Sequence, residues 1–365
     1  MSLYEGISIL HLMRRPFRVF SNIFHAFVSG PKTGKPFKLK FESSAICNLK
    51  CIMCPLTKGL KRKMGVLSFN NFKKVFDEIN PPYLNLTGLG EPLINPDIFK
   101  IISYARRRGA LVKLDTNATL LNDENIKKLI ESDPTFISVS IDGITKKSYE
   151  SIRKGAKFET VINNLKNMIR YRNKTYSNTK IHLFFVLQKS NMNDLIDFIK
   201  FGDSLNVDAL NGNIAISFGN ADNKDKLKIN QLQIKKINEN LKKIKKEIKI
   251  KLNIENIEEF LDNPDQIEKI SEKSCFYPWY NPCITWDGYV VPCDIHCNNE
   301  IVFGNAFQEP FMKIWNNENA RKFRKRLLIK RGGICAKCCV DERYILDKLK
   351  FLNRIPLINK ISYRK

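Results

Sequence analysis

The sequence predicts an α/β protein: six strand–helix units forming a partial, open sheet structure, followed by a small cysteine-rich region. Three observations predict it. Apolar residues switch between strand and helix periodicity from about residue 38 to about residue 218. The ten cysteines fall in two groups, three from Cys47 to Cys54 and seven from Cys275 to Cys339, with none between. The alternation stops after Leu252, before the second group begins.

The elements follow in order. Residues 38–43 alternate apolar and polar, as a strand does, and the first cysteines come at once. Ser68 caps a helix running to Ile79. Residues 83–87 form a short second strand. Asn95 or Pro96 opens a helix to about Arg108, closed by Gly109. Residues 111–116 are the third strand, and Asn122 opens a helix to Glu131. The fourth strand, 136–141, ends in Asp142-Gly143 and leads to a short helix, 145–151, and a longer one, 157–172. The fifth strand is 181–187, with a helix over 191–205. The sixth is either 207–210 or 214–218.

Strands alternating with helices make parallel βαβ units. Six units do not fill an eight-fold barrel, which leaves a partial barrel or a doubly wound sheet. Either one places its chemistry at the carboxyl ends of the strands. Beyond residue 252, short helices are expected at 257–261, 265–270, 310–316 and 319–328. A hairpin is expected over 283–293, turning at Trp286-Asp287-Gly288. The resulting division is 1–36, 37–255, 256–340 and 341–365, with a soft boundary within 250–272.

Composition narrows the class. The chain has 365 residues, 43% of them hydrophobic, enough for a sizeable core and too many for general disorder. Ten cysteines are too sparse and too clustered for a secreted disulfide scaffold, so a reduced, cytoplasmic setting with metal-bound thiolates is expected. Arg14, Arg15, Pro16 and Arg18 interrupt the apolar N-terminal stretch, unlike a secretory signal. No run of about 18 apolar residues predicts a membrane-spanning helix.

The net charge of +25 is local. Residues 1–40 carry seven Lys/Arg against one acid, 224–251 eleven against three, and 321–365 fifteen against three. The middle stretch reads as a solvated helix with Ile229, Leu232, Ile237, Leu241, Ile244 and Ile248 on its apolar face. Residues 7–28 and 343–361 read as basic amphipathic segments. They pack on the protein's own core or lie on an anionic membrane surface at the inner face of the membrane. A nucleic-acid partner is not expected, because no RNA-binding module accompanies the charge.

Cys47, Cys51 and Cys54 sit at spacings of four and three directly after the first strand. Three thiolates cannot close a structural zinc site, which takes four ligands. They can hold an iron–sulfur cluster with one iron left open. A zinc or redox site completed by a distant Cys or His is the alternative. The second strand ends Thr87-Gly88-Leu89-Gly90-Glu91-Pro92, the third Asp115-Thr116-Asn117, and the fourth Val139-Ser140-Ile141-Asp142-Gly143. Further on, Cys275, Gly288 and Cys293 stand at x12 and x4 spacing, and Cys335-Ala336-Lys337-Cys338 follows.

The CxxxCxxC loop and these strand ends resemble the radical S-adenosylmethionine (SAM) superfamily. Leu89 departs from the family's Gly-Gly-Glu-Pro. The later cysteines, with Phe303-Gly304-Asn305 and Ile314-Trp315-Asn316, resemble its SPASM/twitch extension. The resemblance implies a partial (β/α)6 TIM-like barrel with a small auxiliary-cluster domain. It implies a [4Fe–4S] cluster on Cys47, Cys51 and Cys54, with SAM on the open iron. One auxiliary [4Fe–4S] cluster is implied on Cys275, Cys293, Cys335 and Cys338, with structural zinc as the rival there.

Under the same resemblance, Glu91 is the candidate acceptor for the SAM ammonium, and Gly90 permits close backbone approach. Ser140 is a contact for the SAM carboxylate or ribose. Asn117 and Asp142 line the cavity, and Met53 meets adenine. Leu187, Gln188 and Asn191 are further candidates. Cys283, Cys297 and Cys339 are left over. His11, His25, His182 and His296 read as structural, so no catalytic acid or base is named. The implied activity is reductive cleavage of SAM to a 5′-deoxyadenosyl radical that abstracts hydrogen from a peptide or small molecule. The electron comes from a donor such as flavodoxin or ferredoxin. The alternatives are a membrane-surface enzyme acting on a lipid or isoprenoid-linked substrate, and a non-catalytic iron–sulfur or zinc scaffold.

Overall fold

The computed structural model describes residues 2–3, 7–8, 30–215, 231–263, 275–296, 298–329 and 331–338. The basic end segments lie almost wholly outside the described residues, as do the expected helix at 265–270, Ile229, Cys297 and Cys339. No helix among the described residues is long and apolar enough to cross a membrane.

Five strands appear where the sequence places them, β1 Lys38–Phe41, β2 Tyr83–Asn85, β3 Leu111–Thr116, β4 Phe136–Ser140 and β5 Lys180–Leu187, and the sixth, β6 Ala209–Ile214, bridges the two ranges expected for it. Each pairs parallel with the next. The intervening helices are α1 Phe69–Ile79, α2 Ile98–Arg107, α3 Asp123–Glu131, α4 Lys146–Ile152, α5 Phe158–Lys174 and α6 Leu195–Ser204. Their starts follow local chemistry. Ser68 accepts the Asn71 N–H, Asn122 accepts the Asn125 N–H, and Thr145 closes a reciprocal box with Ser148.

Two expectations need correction. A seventh strand, β7 Lys251–Asn253, pairs parallel with β6 after helix α7 Gln231–Ile244. Helix α7 buries Ile234, Ile237, Leu241 and Ile244 but leaves Leu232 75% exposed, so its apolar face omits Leu232. The cysteine-rich region adds strands to the same sheet. After helices α8 Glu255–Asp262 and α9 Tyr277–Tyr280, strand β8 Cys283–Ile284 pairs parallel with β1. Strands β9 Tyr289–Val291 and β10 Gly304–Asn305 extend it antiparallel. The hairpin thereby covers the edge of β1, which would otherwise present unpaired backbone groups.

The result is one ten-stranded sheet in the order β10-β9-β8-β1-β2-β3-β4-β5-β6-β7, whose two ends do not join. The main apolar core runs through it from Leu39 and Phe41 to Trp279, Phe311 and Trp315, and a second, small cluster gathers Phe37, Tyr83, Leu111, Phe136 and Tyr280. Helix α10 Phe311–Trp315 docks on α1 because both Glu78 carboxylate oxygens accept its first N–H groups, from Phe311 and Met312. Helix α11 Glu318–Ile329 sends the buried Arg324 guanidinium to the carbonyls of Pro278 and Pro31, and over the Trp315 ring. Asn316 brackets Thr33 with two hydrogen bonds. The segment leading into β1 is thus bound to the C-terminal region.

Candidate functional site

The chain between β1 and α1 carries Cys47, Cys51 and Cys54. It closes on itself through a Ser44–Val66 bridge and through N–H donation from Ala45 to Gly65 and from Leu67 to Ser43. Asn95, expected to open a helix, instead donates its amide to the Ser43 and Leu67 carbonyls, both at 2.8 Å. It pins the base of the loop, and α2 starts three residues later.

Two strand ends and the end of helix α4 then hold the cysteines in place. After β2, the N–H groups of Gly90 and Glu91 donate to the carbonyls of Ser44 and Ile46 at 3.0 and 2.9 Å. After β3, Asn117 donates to Asn48 at 3.0 Å, and Asn48 donates to Thr119 at 2.7 Å. After α4, the N–H groups of Lys50 and Ile52 donate to Lys154 and Ile152. All three anchors sit at the carboxyl edge of the parallel strands, where this fold class builds its sites.

The three thiols are free; Cys51 is buried, and Cys47 and Cys54 are half-buried. Cys47 accepts the Leu49 N–H at 3.4 Å, with the Asn117 amide at 3.9 Å. Burial pushes the Cys51 thiol up to about 11 and raises Cys47 as well, while the charge of Arg153 pulls both down. Binding metal therefore means displacing protons from these sulfurs. Three thiols within one another's field, N–H groups directed at Cys47 and a fixed cation beside Cys51 form a donor set that suits an anionic iron–sulfur cluster. Among the described residues, no three Cys, His, Asp or Glu side chains converge closely enough to share a single metal ion.

The expected SAM contacts divide. Ser140 ends β4 half-buried, and Met53 is half-buried against the core. Asn117 reaches the cysteine loop through its side-chain amide. The close approach at Gly90 is that of the cysteine loop: a Cβ there would lie 2.3 Å from the Ile46 carbonyl oxygen. Glu91, the candidate acceptor, lies buried just after β2. Its oxygens already accept Thr116 Oγ1 at 2.7 Å, the Asn117 N–H at 2.7 Å and the Leu93 N–H at 3.2 Å. It ties β2 to β3 from a fully buried position, where burial raises its pKa.

Asp142 is fully buried, bonded to Arg153 at 2.6 and 2.8 Å and accepting the Val186 N–H at 2.8 Å. Asn191 is likewise structural, donating to the Asp142 and Val186 carbonyls and accepting the Gln188 N–H. Leu187 is buried core at the end of β5, and Gln188 is buried beside it.

In the C-terminal region the Gly288 turn forms as expected, with φ +93°. Burial raises the Cys293 thiol, reinforced by Asp294, Cys275 and Cys338, so these three cysteines share one neighbourhood. The Cys335 sulfur lies 3.5 Å from His296 Nε2. Cys283 is buried on β8, where burial raises its pKa against the pull of Lys40, and Lys40 pairs with Asp294 at 2.7 Å.

Several residues escaped the sequence reading. Arg153 is buried against Asp142, and the buried pair Arg62–Glu42, at 2.6 Å, spans the cysteine loop and β1. Glu42 also accepts the Trp286 N–H, which joins the hairpin to this corner. No spacing rule links such distant partners.

The comparisons agree with this geometry. The chain matches the model of the Radical SAM superfamily over residues 41–202 and the SPASM iron–sulfur cluster-binding domain over 275–339. It is 30% identical over 171 residues to the mycofactocin maturase MftC of Mycobacterium ulcerans, covering 46% of this chain and 44% of that protein. The chain thus spans less than half the length of that relative. It is 28% identical over 312 residues to the AdoMet-dependent heme synthase of Methanosarcina barkeri, covering 80% of this chain and 85% of that protein. The fold is similar to Streptococcus suis SuiB bound to precursor peptide SuiA: TM-score 0.65, 17% identity, over 92% of this chain and 77% of that one. It is also similar to anSMEcpe with bound AdoMet: TM-score 0.62, 17% identity, over 90% and 95%. Loop, strand ends and matches together lead to one assignment: the chain joins a Radical SAM superfamily region, residues 41–202, to a SPASM iron–sulfur cluster-binding region, residues 275–339.

Proposed function

We propose that this chain modifies a peptide by hydrogen-atom abstraction, using a cluster on Cys47, Cys51 and Cys54. The observation that carries the reading is the three-thiol loop tied to the ends of β2, β3 and α4. When bound, the reduced cluster and SAM supply a 5′-deoxyadenosyl radical that removes a hydrogen atom from substrate. The chain's own part is positioning. Glu91 and Asn95 hold the loop at the strand ends, and Arg153 offsets the negative charge gathered at the thiolates. Ser140 would contact the SAM carboxylate or ribose, Asn117 would line the cavity, and Met53 would meet the adenine. Cys275, Cys293, Cys335 and Cys338 hold one auxiliary cluster. An external donor of the flavodoxin or ferredoxin kind supplies the electron.

The likeness to SuiB, solved with its precursor peptide, and to a mycofactocin maturase supports the peptide class. A second reading, oxidation of a tetrapyrrole, is favoured by the heme synthase alignment, which extends over both regions of this chain.

The test is anaerobic reconstitution followed by assay for 5′-deoxyadenosine and by iron analysis. About eight irons are expected in the parent and about four in a Cys47/Cys51/Cys54→Ala variant, with cleavage of SAM abolished in the variant. Intact clusters with no 5′-deoxyadenosine would instead support a scaffold. Peptide and iron-porphyrin arms, read by mass loss, separate the two substrate classes.

A further inference from the structure

His296 and Cys335 meet inside the C-terminal region, in an arrangement the function above leaves unused. His296 ends the one-turn 3₁₀ segment Asp294–His296, which follows Cys293 directly. Cys335 lies in a second 3₁₀ turn, Gly333–Lys337, and the two turns pack together. The Cys335 sulfur is 3.5 Å from His296 Nε2. The imidazole is fully buried and stands edge-on to Phe323, with centroids 5.7 Å apart. Its Nδ1 has no hydrogen-bond partner among the described residues. Arg326 and Asp294 face the ring, and Arg326 and Arg331 face the sulfur.

The ring thus spends its buried polarity on a single contact. Burying an imidazole costs desolvation that a phenyl ring in the same slot would avoid. Packing alone does not account for a histidine whose one polar contact is a sulfur. A neutral imidazole carries one N–H, and placing it on Nε2 directs it at Cys335 while leaving Nδ1 an unprotonated acceptor.

We infer that His296 is a positioning residue of the auxiliary centre, donating Nε2–H to the sulfur of Cys335 when that sulfur ligates iron. The inference rests on the reading that Cys335 is a ligand of an auxiliary cluster. A donor on a ligating sulfur draws off electron density, raises the cluster's reduction potential and fixes the sulfur's orientation.

The test compares the holoenzyme with His296→Phe and His296→Gln, read by iron content and by potentiometric EPR of both clusters. His296→Phe is expected to keep about eight irons. Its auxiliary cluster shifts to lower potential, with a reduced fraction at fixed solution potential lowered up to about tenfold. The SAM cluster titrates as in the parent, and His296→Gln, which retains an N–H donor, recovers part of the shift. In the parent, pulsed EPR shows a weak nitrogen coupling on the auxiliary signal, a readout that needs no variant.

An unchanged auxiliary potential in fully loaded His296→Phe, or no nitrogen coupling in the parent, overturns the inference. So does a strong coupling of the kind an iron-bound imidazole gives. About four irons in the parent, unaltered in Cys335→Ala, would overturn the auxiliary-cluster reading itself, and the inference with it.

Discussion

Cys51 lies directly against Arg153. The N–H groups flanking the cysteine, of Lys50 and Ile52, donate to the carbonyls flanking the arginine, of Lys154 and Ile152, at 2.9 and 3.0 Å. Burial disfavours the guanidinium's charge, yet Asp142, followed by Cys51, more than offsets it, and Arg153 stays protonated. A fixed cation thus stands at the loop where three thiolates must coexist.

Removing that cation strands a buried carboxylate. Arg153→Met is expected to cost about 3–5 kcal/mol, because Asp142 is left charged and unpaired at zero exposure. Thermal melting of the metal-free protein measures it. The double variant Asp142→Asn/Arg153→Met keeps an oxygen for the Val186 N–H and should recover more than half the loss. A double variant as unstable as the single would refute the ion-pair account.

Gly90 should tolerate no side chain. A Cβ there meets the Ile46 carbonyl oxygen at 2.3 Å and the Ser44 carbonyl oxygen at 2.7 Å, both backbone, so the cysteine loop must move. Gly90→Ala is expected to retain less iron at the first site than Gly332→Ala, where a Cβ meets nothing within 4 Å. Equal iron retention in the two variants would show that the loop does not depend on this approach.

Glu91 acts here as a tie between strands. Truncation in Glu91→Ala leaves the donors of Thr116, Asn117 and Leu93 without their acceptor and should cost about 2–4 kcal/mol. Glu91→Gln keeps one oxygen and should cost less. Denaturant titration ranks the two, and the reverse order would contradict the bonding described.

The thiols add a pH dependence to the metal-free protein. Cys51 ionises at about 11 in the fold and near its ordinary value, about 8.5, once unfolded. The folded state therefore holds its proton longer, and this contribution is complete below about pH 8.5. It is lost as pH rises from there through about 11. Melting temperature should fall more steeply across that window in the parent than in Cys51→Ala. Parallel curves would remove Cys51 from the explanation.

Local signals were well legible. Ser68, Asn122 and Thr145 cap helices where the sequence places them, because a cap needs only its own side chain and an N–H three residues on. Strands β1 to β5 follow from short apolar runs between turn signals, which burial on a parallel sheet imposes locally. Asn95 misled. Asn95 serves the cysteine loop, while Asp97 accepts the Phe69 N–H, so neither side chain caps α2. The three-residue strand β7 is too short to carry a period.

By itself, the sequence determined the strand–helix alternation, the two cysteine groups and the family they belong to. All of these are written in neighbouring residues and fixed spacings. Only the tertiary structure decided that Glu91 ties β2 to β3, that Asp142 pairs with Arg153 and that the hairpin at Cys283 completes the edge of β1. It alone set Arg153 against Cys51 and His296 against Cys335. Such pairings join residues tens to hundreds of positions apart. Their partners are selected by which polar groups folding buries together, and a buried group must find its counterpart wherever the chain has carried it.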